Sequence, residues 1–79
     1  MTTLILLPGL AGNEAMWRAQ QAALARWRPV VTDVHMREDG IASMAAALLR
    51  EHAGPLVLCG ASMGGMVAME ADRQAPVRI

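Results

Sequence analysis

Apolar residues along this chain follow two alternating rhythms. Thr3-Leu-Ile-Leu-Leu7 is a continuous apolar run closed by Pro8-Gly9, which predicts a buried strand and a turn. After the loop Leu10-Ala-Gly-Asn13, Asn13 suits a helix N-cap and Glu14 suits a first turn. The stretch from Glu14 to Arg26 is rich in Ala, Gln and Arg and predicts a helix. Trp17, Gln20, Leu24 and Trp27 share one face at helical spacing. Pro29 ends that helix, and the β-branched Val30-Val-Thr-Asp-Val34 predicts a second strand, followed by a polar loop from Met36 to Gly40.

The most regular period comes next. Ile41, Met44, Ala45, Leu48, Leu49 and His52 recur at the spacing of one helix face, and Gly54-Pro55 stops the pattern. Leu56-Val-Leu-Cys59 predicts a third strand. A third helix is expected from Met63 to Ala75, with Ala68, Ala71 and Ala75 forming a small-residue side. After Pro76, Val77-Arg-Ile79 predicts the start of a fourth strand. Strands alternating with helices of this length imply βαβ units around a parallel sheet, an α/β class, in one domain spanning 1–79. Strands apolar on both faces agree with a sheet covered on both sides.

Composition narrows the function classes. The 79 residues are 54% hydrophobic but include only two aromatics, and seven arginines balance seven acids. A basic excess, which a nucleic acid or an anionic membrane would require, is missing. The single cysteine, Cys59, gives no internal disulfide framework, and the N-terminal apolar run is short for a signal peptide or a span. The expected compartment is the cytoplasm. So much apolar surface on a small chain also suggests one meant to be covered by further protein.

Chemistry concentrates in Leu56-Val-Leu-Cys-Gly-Ala-Ser-Met-Gly-Gly65, which carries G-x-S-x-G at a strand-to-helix junction. A sharp turn there would lift Ser62 out of the sheet, and Gly60, Gly64 and Gly65 would let strand and helix approach. The helix N-terminus behind Ser62 would favour a developing oxyanion. A phosphate cradle is the competing use of such a turn, but neither G-x-G-x-x-G nor a Gly-Lys-Ser/Thr ending is present. Cys59, on a strand expected to be buried, reads as a small hydrophobe rather than a nucleophile. His35 and His52 lack metal-ligand spacing. His52 reads as a helix-end residue and His35 as a solvated loop residue.

Taken together, Leu4-Ile-Leu-Leu-Pro-Gly-Leu10, Trp17, Asp33, Leu58-Cys-Gly-Ala-Ser-Met-Gly-Gly65 and Arg73-Gln-Ala-Pro-Val-Arg-Ile79 resemble the N-terminal third of an α/β-hydrolase, of the small bacterial esterase and lactonase kind. The resemblance implies a parallel sheet in the order second-first-third-fourth. It implies Ser62 as nucleophile, with the backbone amides of Leu10 and Met63 as oxyanion hole. The substrate would be a small acyl compound (a carboxylic ester, lactone or thioester), with Trp17 and Met63 lining the acyl pocket and no cofactor. The family's triad runs serine, acid, histidine. No histidine follows Ser62, and Glu70 and Asp72 lie on the helix behind it. The expectation is therefore an incomplete hydrolase domain, inactive alone. Its partner would be a complementary C-terminal portion, or it would self-associate or act as a non-catalytic docking fragment.

Overall fold

The computed structural model describes residues 2–9 and 14–79. Strand β1 is Thr3–Leu7, β2 is Val30–Val31 and β3 is Leu56–Gly60; helix α1 is Arg18–Ala23, α2 is Val34–Arg37, α3 is Ile41–Glu51 and α4 is Met63–Gln74. Three single 3-10 turns, Glu14–Trp17, Ala25–Trp27 and Pro76–Arg78, complete the chain. The strands form one parallel sheet in the order β2-β1-β3, with Ile5 paired to Val30 on one side and to Leu58 on the other. The α/β class and the relative order of the first three strands follow the expectation.

The pleat divides the sheet into two faces, since successive side chains point to opposite sides. Ile5 and Leu7 of β1 and Leu56 of β3 join Met44, Ala45, Ala47 and Leu48 of α3 and Val67 and Ala71 of α4 in one buried cluster, with Val34. The α3 stripe read from the sequence is the face that enters this core, and Ala47 extends it. Gly40 opens α3, and its carbonyl accepts from Met44 N–H. The α3 end is held from outside: Arg78 donates to the carbonyls of Leu49 and Gly54, at 2.9 and 3.0 Å, and to that of His52. A cation placed on the last carbonyls of a helix is favourable both as a donor and through the helix dipole.

Four sequence expectations change. The helix expected from Glu14 to Arg26 is broken: the Leu24 N–H still bonds to the Gln20 carbonyl, but those of Trp27 and Arg28 bond three residues back. Pro29 disfavours the right-handed helical region for Arg28, which takes φ 51°, and the helix tightens into a 3-10 turn before it. The second strand stops at Val31 because Thr32 turns the chain. Its hydroxyl accepts from the Val34 N–H at 3.3 Å, which starts α2, so His35 lies on a helix rather than in a polar loop. Cys59 is exposed, not buried.

The fourth strand is not formed. Residues 76–78 make a 3-10 turn with Pro76 at its start, fixed by the three carbonyls that Arg78 engages. Proline brings no N–H to a ladder, and the Arg78 side chain ties this segment to the carbonyls at and just after the end of α3.

Candidate active site

Ser62 stands between β3 and α4 with φ 55° and ψ −118°. A non-glycine residue with positive φ at this ψ is strained, at a cost on the order of 1–3 kcal/mol, and persists only when its surroundings impose it. Here the surroundings do. The Gly64 N–H bonds to the Ala61 carbonyl at 2.9 Å and the Gly65 N–H to the Ser62 carbonyl at 3.0 Å, closing two successive tight turns. The Ala61 N–H bonds to the Leu7 carbonyl at 3.1 Å, anchoring the turn to the central strand. Ser62 itself is exposed.

Two glycines make the turn sterically feasible. A Cβ on Gly60 would overlap the backbone of Gly64 and Gly65, and one on Gly64 would overlap the carbonyls of Leu7 and Pro8. Strand β3 and the first turn of α4 therefore approach backbone to backbone, and α4 lies directly against the end of β1. Gly65 differs: a Cβ there would meet only the Gly60 carbonyl, at 3.6 Å, which is ordinary contact. Close backbone approach therefore requires glycine at Gly60 and Gly64 but not at Gly65.

The strand order makes the end of β1 a switch point. The chain leaves β1 toward β2 on one side and returns by α3 to β3 on the other, so the loops after β1 and β3 diverge above the carboxyl ends of the strands, where α/β sheets place ligands. Gly9, on the first of these loops, is buried, and a Cβ there would come 3.3 Å from the Ser62 Cβ and 3.9 Å from its Oγ. The strand order implied by the resemblance already brings these two loops to one switch point; the direct seating of Gly9 against Ser62 is what the structure adds. Leu10, expected to supply an oxyanion-hole amide, lies outside the described residues. Met63 begins α4, and no backbone hydrogen bond engages its N–H among the described residues, leaving a donor at the helix N-terminus beside Ser62.

Compared with models of known families, with curated proteins and with solved structures, the chain matches none.

The other candidate residues fall away from Ser62. His52 caps the far end of α3, and the five residues of β3 separate that end from Ser62 by roughly 16 Å. His35, on α2 beyond β2, is offset by two strand spacings, about 10 Å. Glu70 faces Arg73 and Gln74, whose side chains donate to it at 2.7–2.9 Å and hold its carboxyl down at about 2. No side-chain hydrogen bond reaches the Ser62 hydroxyl among the described residues, and those residues contain no cluster of three or more metal-ligating side chains. None of their helices is long and apolar enough to cross a membrane.

Trp17 is buried at 7% exposure, and its Nε1 has no hydrogen-bond partner among the described residues. Met63 is half-buried against the core. The open apolar space lies elsewhere: a groove of about 390 Å³ on the sheet face opposite α3 and α4, lined by Thr2, Leu4, Leu24, Trp27, Val57 and Cys59. Neither Trp17, Met63 nor Ser62 lines it.

Proposed function

We propose that this chain carries the nucleophilic half of a serine hydrolase of the α/β-hydrolase superfamily, acting on a carboxylic ester, lactone or thioester. The observation that carries the reading is the backbone of Ser62: a serine, not a glycine, occupies φ 55° at the apex of a strand-to-helix turn. Such strain is retained where the side chain at that point is needed. Ser62 Oγ would attack the acyl carbonyl, its proton passing to a base, and the carbonyl π electrons would move onto oxygen. The Met63 N–H, and by resemblance that of Leu10, would donate to this oxyanion. Collapse would expel the alcohol or thiol and leave an ester on Ser62, which water then cleaves.

A second reading has its own support. No base stands within hydrogen-bond reach of Ser62 among the described residues, which favours a chain that is inert alone and completes its relay only with a complementary hydrolase portion. One experiment separates the two. The chain is exposed to a fluorophosphonate with and without added imidazole, and intact mass is measured beside Ser62→Ala. Labelling that needs imidazole and vanishes in Ser62→Ala supports a nucleophile lacking its base. Labelling without imidazole places a base in the chain itself. A folded chain unlabelled even with imidazole removes the hydrolase reading and leaves a non-catalytic docking fragment.

A further inference from the structure

Glycine stands at position 9 for a reason that backbone conformation does not supply. Gly54 is the glycine with positive φ among the described residues, so Gly9 has a φ open to any residue. Chain packing does not demand glycine there either. At Gly60 and Gly64 an added Cβ would fall 2.3 and 2.0 Å from backbone atoms, and only movement of the chain would relieve that. At Gly9 the closest approach is 3.3 Å, slightly inside the ordinary carbon contact of about 3.5–4.0 Å. The three heavy atoms nearest to that Cβ all belong to the turn: Ser62 Cβ, the Ala61 carbonyl oxygen at 3.4 Å and Ser62 Oγ at 3.9 Å. What the glycine leaves empty is therefore one flank of the Ser62 side chain.

Neither wall of this space draws back easily. Pro8 is fully buried with its φ fixed by the ring, and Gly64 seats α4 against the carbonyls of Leu7 and Pro8. On the other wall, the Ala61 N–H is tied to the Leu7 carbonyl, and two tight turns hold Ser62. A methyl group at position 9 would stay beside Oγ. An atom bonded to Oγ carries its own substituents into the surrounding space, and this flank is part of it.

We propose that Gly9 is a positioning residue for the Ser62 reaction, and that the space its missing side chain leaves beside Oγ receives a substituent of the attacked centre. The inference rests on Ser62 being the nucleophile proposed above. It adds a preference set by size: the bare Gly9 flank admits centres whose substituent is larger than a methyl group, and a side chain at position 9 closes it to them first.

Two measurements test this. In the first, methanesulfonyl fluoride and phenylmethanesulfonyl fluoride react with the folded chain in the presence of imidazole, and intact mass gives each rate, with Ser62→Ala as background. Oγ bonds to sulfur, the S–F bond breaks, fluoride leaves and imidazole takes the proton. Gly9→Ala should lower the ratio of the bulky to the small reagent's rate by about tenfold or more, the usual weight of one methyl group in a fitted space. A merely structural disturbance of the turn would slow both reagents alike. In the second, urea unfolding compares Gly9→Ala in the unaltered chain and in Ser62→Gly. Ser62→Gly removes the Cβ at 3.3 Å, so the same methyl should be better tolerated there. An unchanged rate ratio overturns the inference and leaves the serine reading standing, as does equal tolerance in both backgrounds or a Gly9→Ala chain that fails to fold even with Ser62→Gly. A folded, unaltered chain that neither reagent labels takes the serine reading and this inference together.

Discussion

Gly64→Ala and Gly65→Ala are adjacent, chemically identical changes in the first turn of one helix, and the geometry gives them opposite signs. At Gly64 the new methyl would overlap the Leu7 carbonyl and crowd that of Pro8. Restoring ordinary contact needs α4 and the end of β1 to part by roughly an ångström or more, and neither side is a flexible side chain. Leu7, Val67 and Ala71, all essentially fully buried, would lose packing in that movement. Overpacking of this kind costs on the order of 1–3 kcal/mol, and we expect the upper end because backbone must move. At Gly65 the methyl meets the Gly60 carbonyl at 3.6 Å and nothing closer. Alanine there gains helix propensity and reduces unfolded-chain entropy, for a gain of up to about 1 kcal/mol. Urea unfolding followed by far-ultraviolet circular dichroism reads both. The midpoint should fall clearly for Gly64→Ala and stay or rise for Gly65→Ala. Equal shifts would refute the close approach of α4 to β1 on which the Ser62 geometry rests.

Ser62→Gly should raise thermal stability, by about 1 kcal/mol, because glycine adopts φ 55° without strain, while abolishing fluorophosphonate labelling; a lower melting temperature would mean the serine side chain is structural. Arg78→Ala removes three donors from the end of α3 and should cost about 1–2 kcal/mol in urea unfolding, with Arg78→Lys recovering only part, since one ammonium cannot span the three carbonyls. The Glu70 carboxyl is held at about 2 by Arg73 and Gln74, and that of Glu51 is lowered by Arg37. Both groups bind protons more weakly folded than unfolded, so their stabilisation is complete above the ordinary carboxylate range and is lost as pH falls below it, for Glu70 from about 4.5 toward about 2. Acid titration of the melting temperature should show this decline. Glu70→Gln should flatten it, and added salt should shrink it because both pairs are solvent-exposed.

The parts of this fold that were legible in the sequence are those whose signal is local and long enough to repeat. The α3 stripe spans three turns, and its members Met44, Ala45 and Leu48 are buried as the period requires. Strands β1 and β3 are bounded by proline and glycine, and the turn at Ser62 is marked by its flanking glycines. What the sequence hid depends on single contacts made at a distance. One hydroxyl, that of Thr32, ends β2 two residues after it begins. Arg78 takes residues 76–78 to the α3 terminus, although Val77-Arg-Ile79 alternates as a strand would. The exposure of Cys59 follows from how little of the β1–β3 face α1 covers, which no local pattern encodes. At the site, Ser62 and its flanking glycines were readable locally and the strand order brought the loops of Gly9 and Ser62 together, whereas the close contact between those two residues appears only in three dimensions.

The position of β1 in the middle of the sheet has a consequence for how the chain is made. Its partners Val30 and Leu58 lie 25 and 53 residues further along from Ile5. At a synthesis rate of about 5–20 residues per second, the most apolar strand waits roughly 3–11 seconds after its own synthesis for β3 to be made. Until β2 is made Leu4 to Leu7 have no native strand beside them, and their β3 side stays open for the whole interval. Pairing on both sides of β1 is therefore timed by the synthesis of β3.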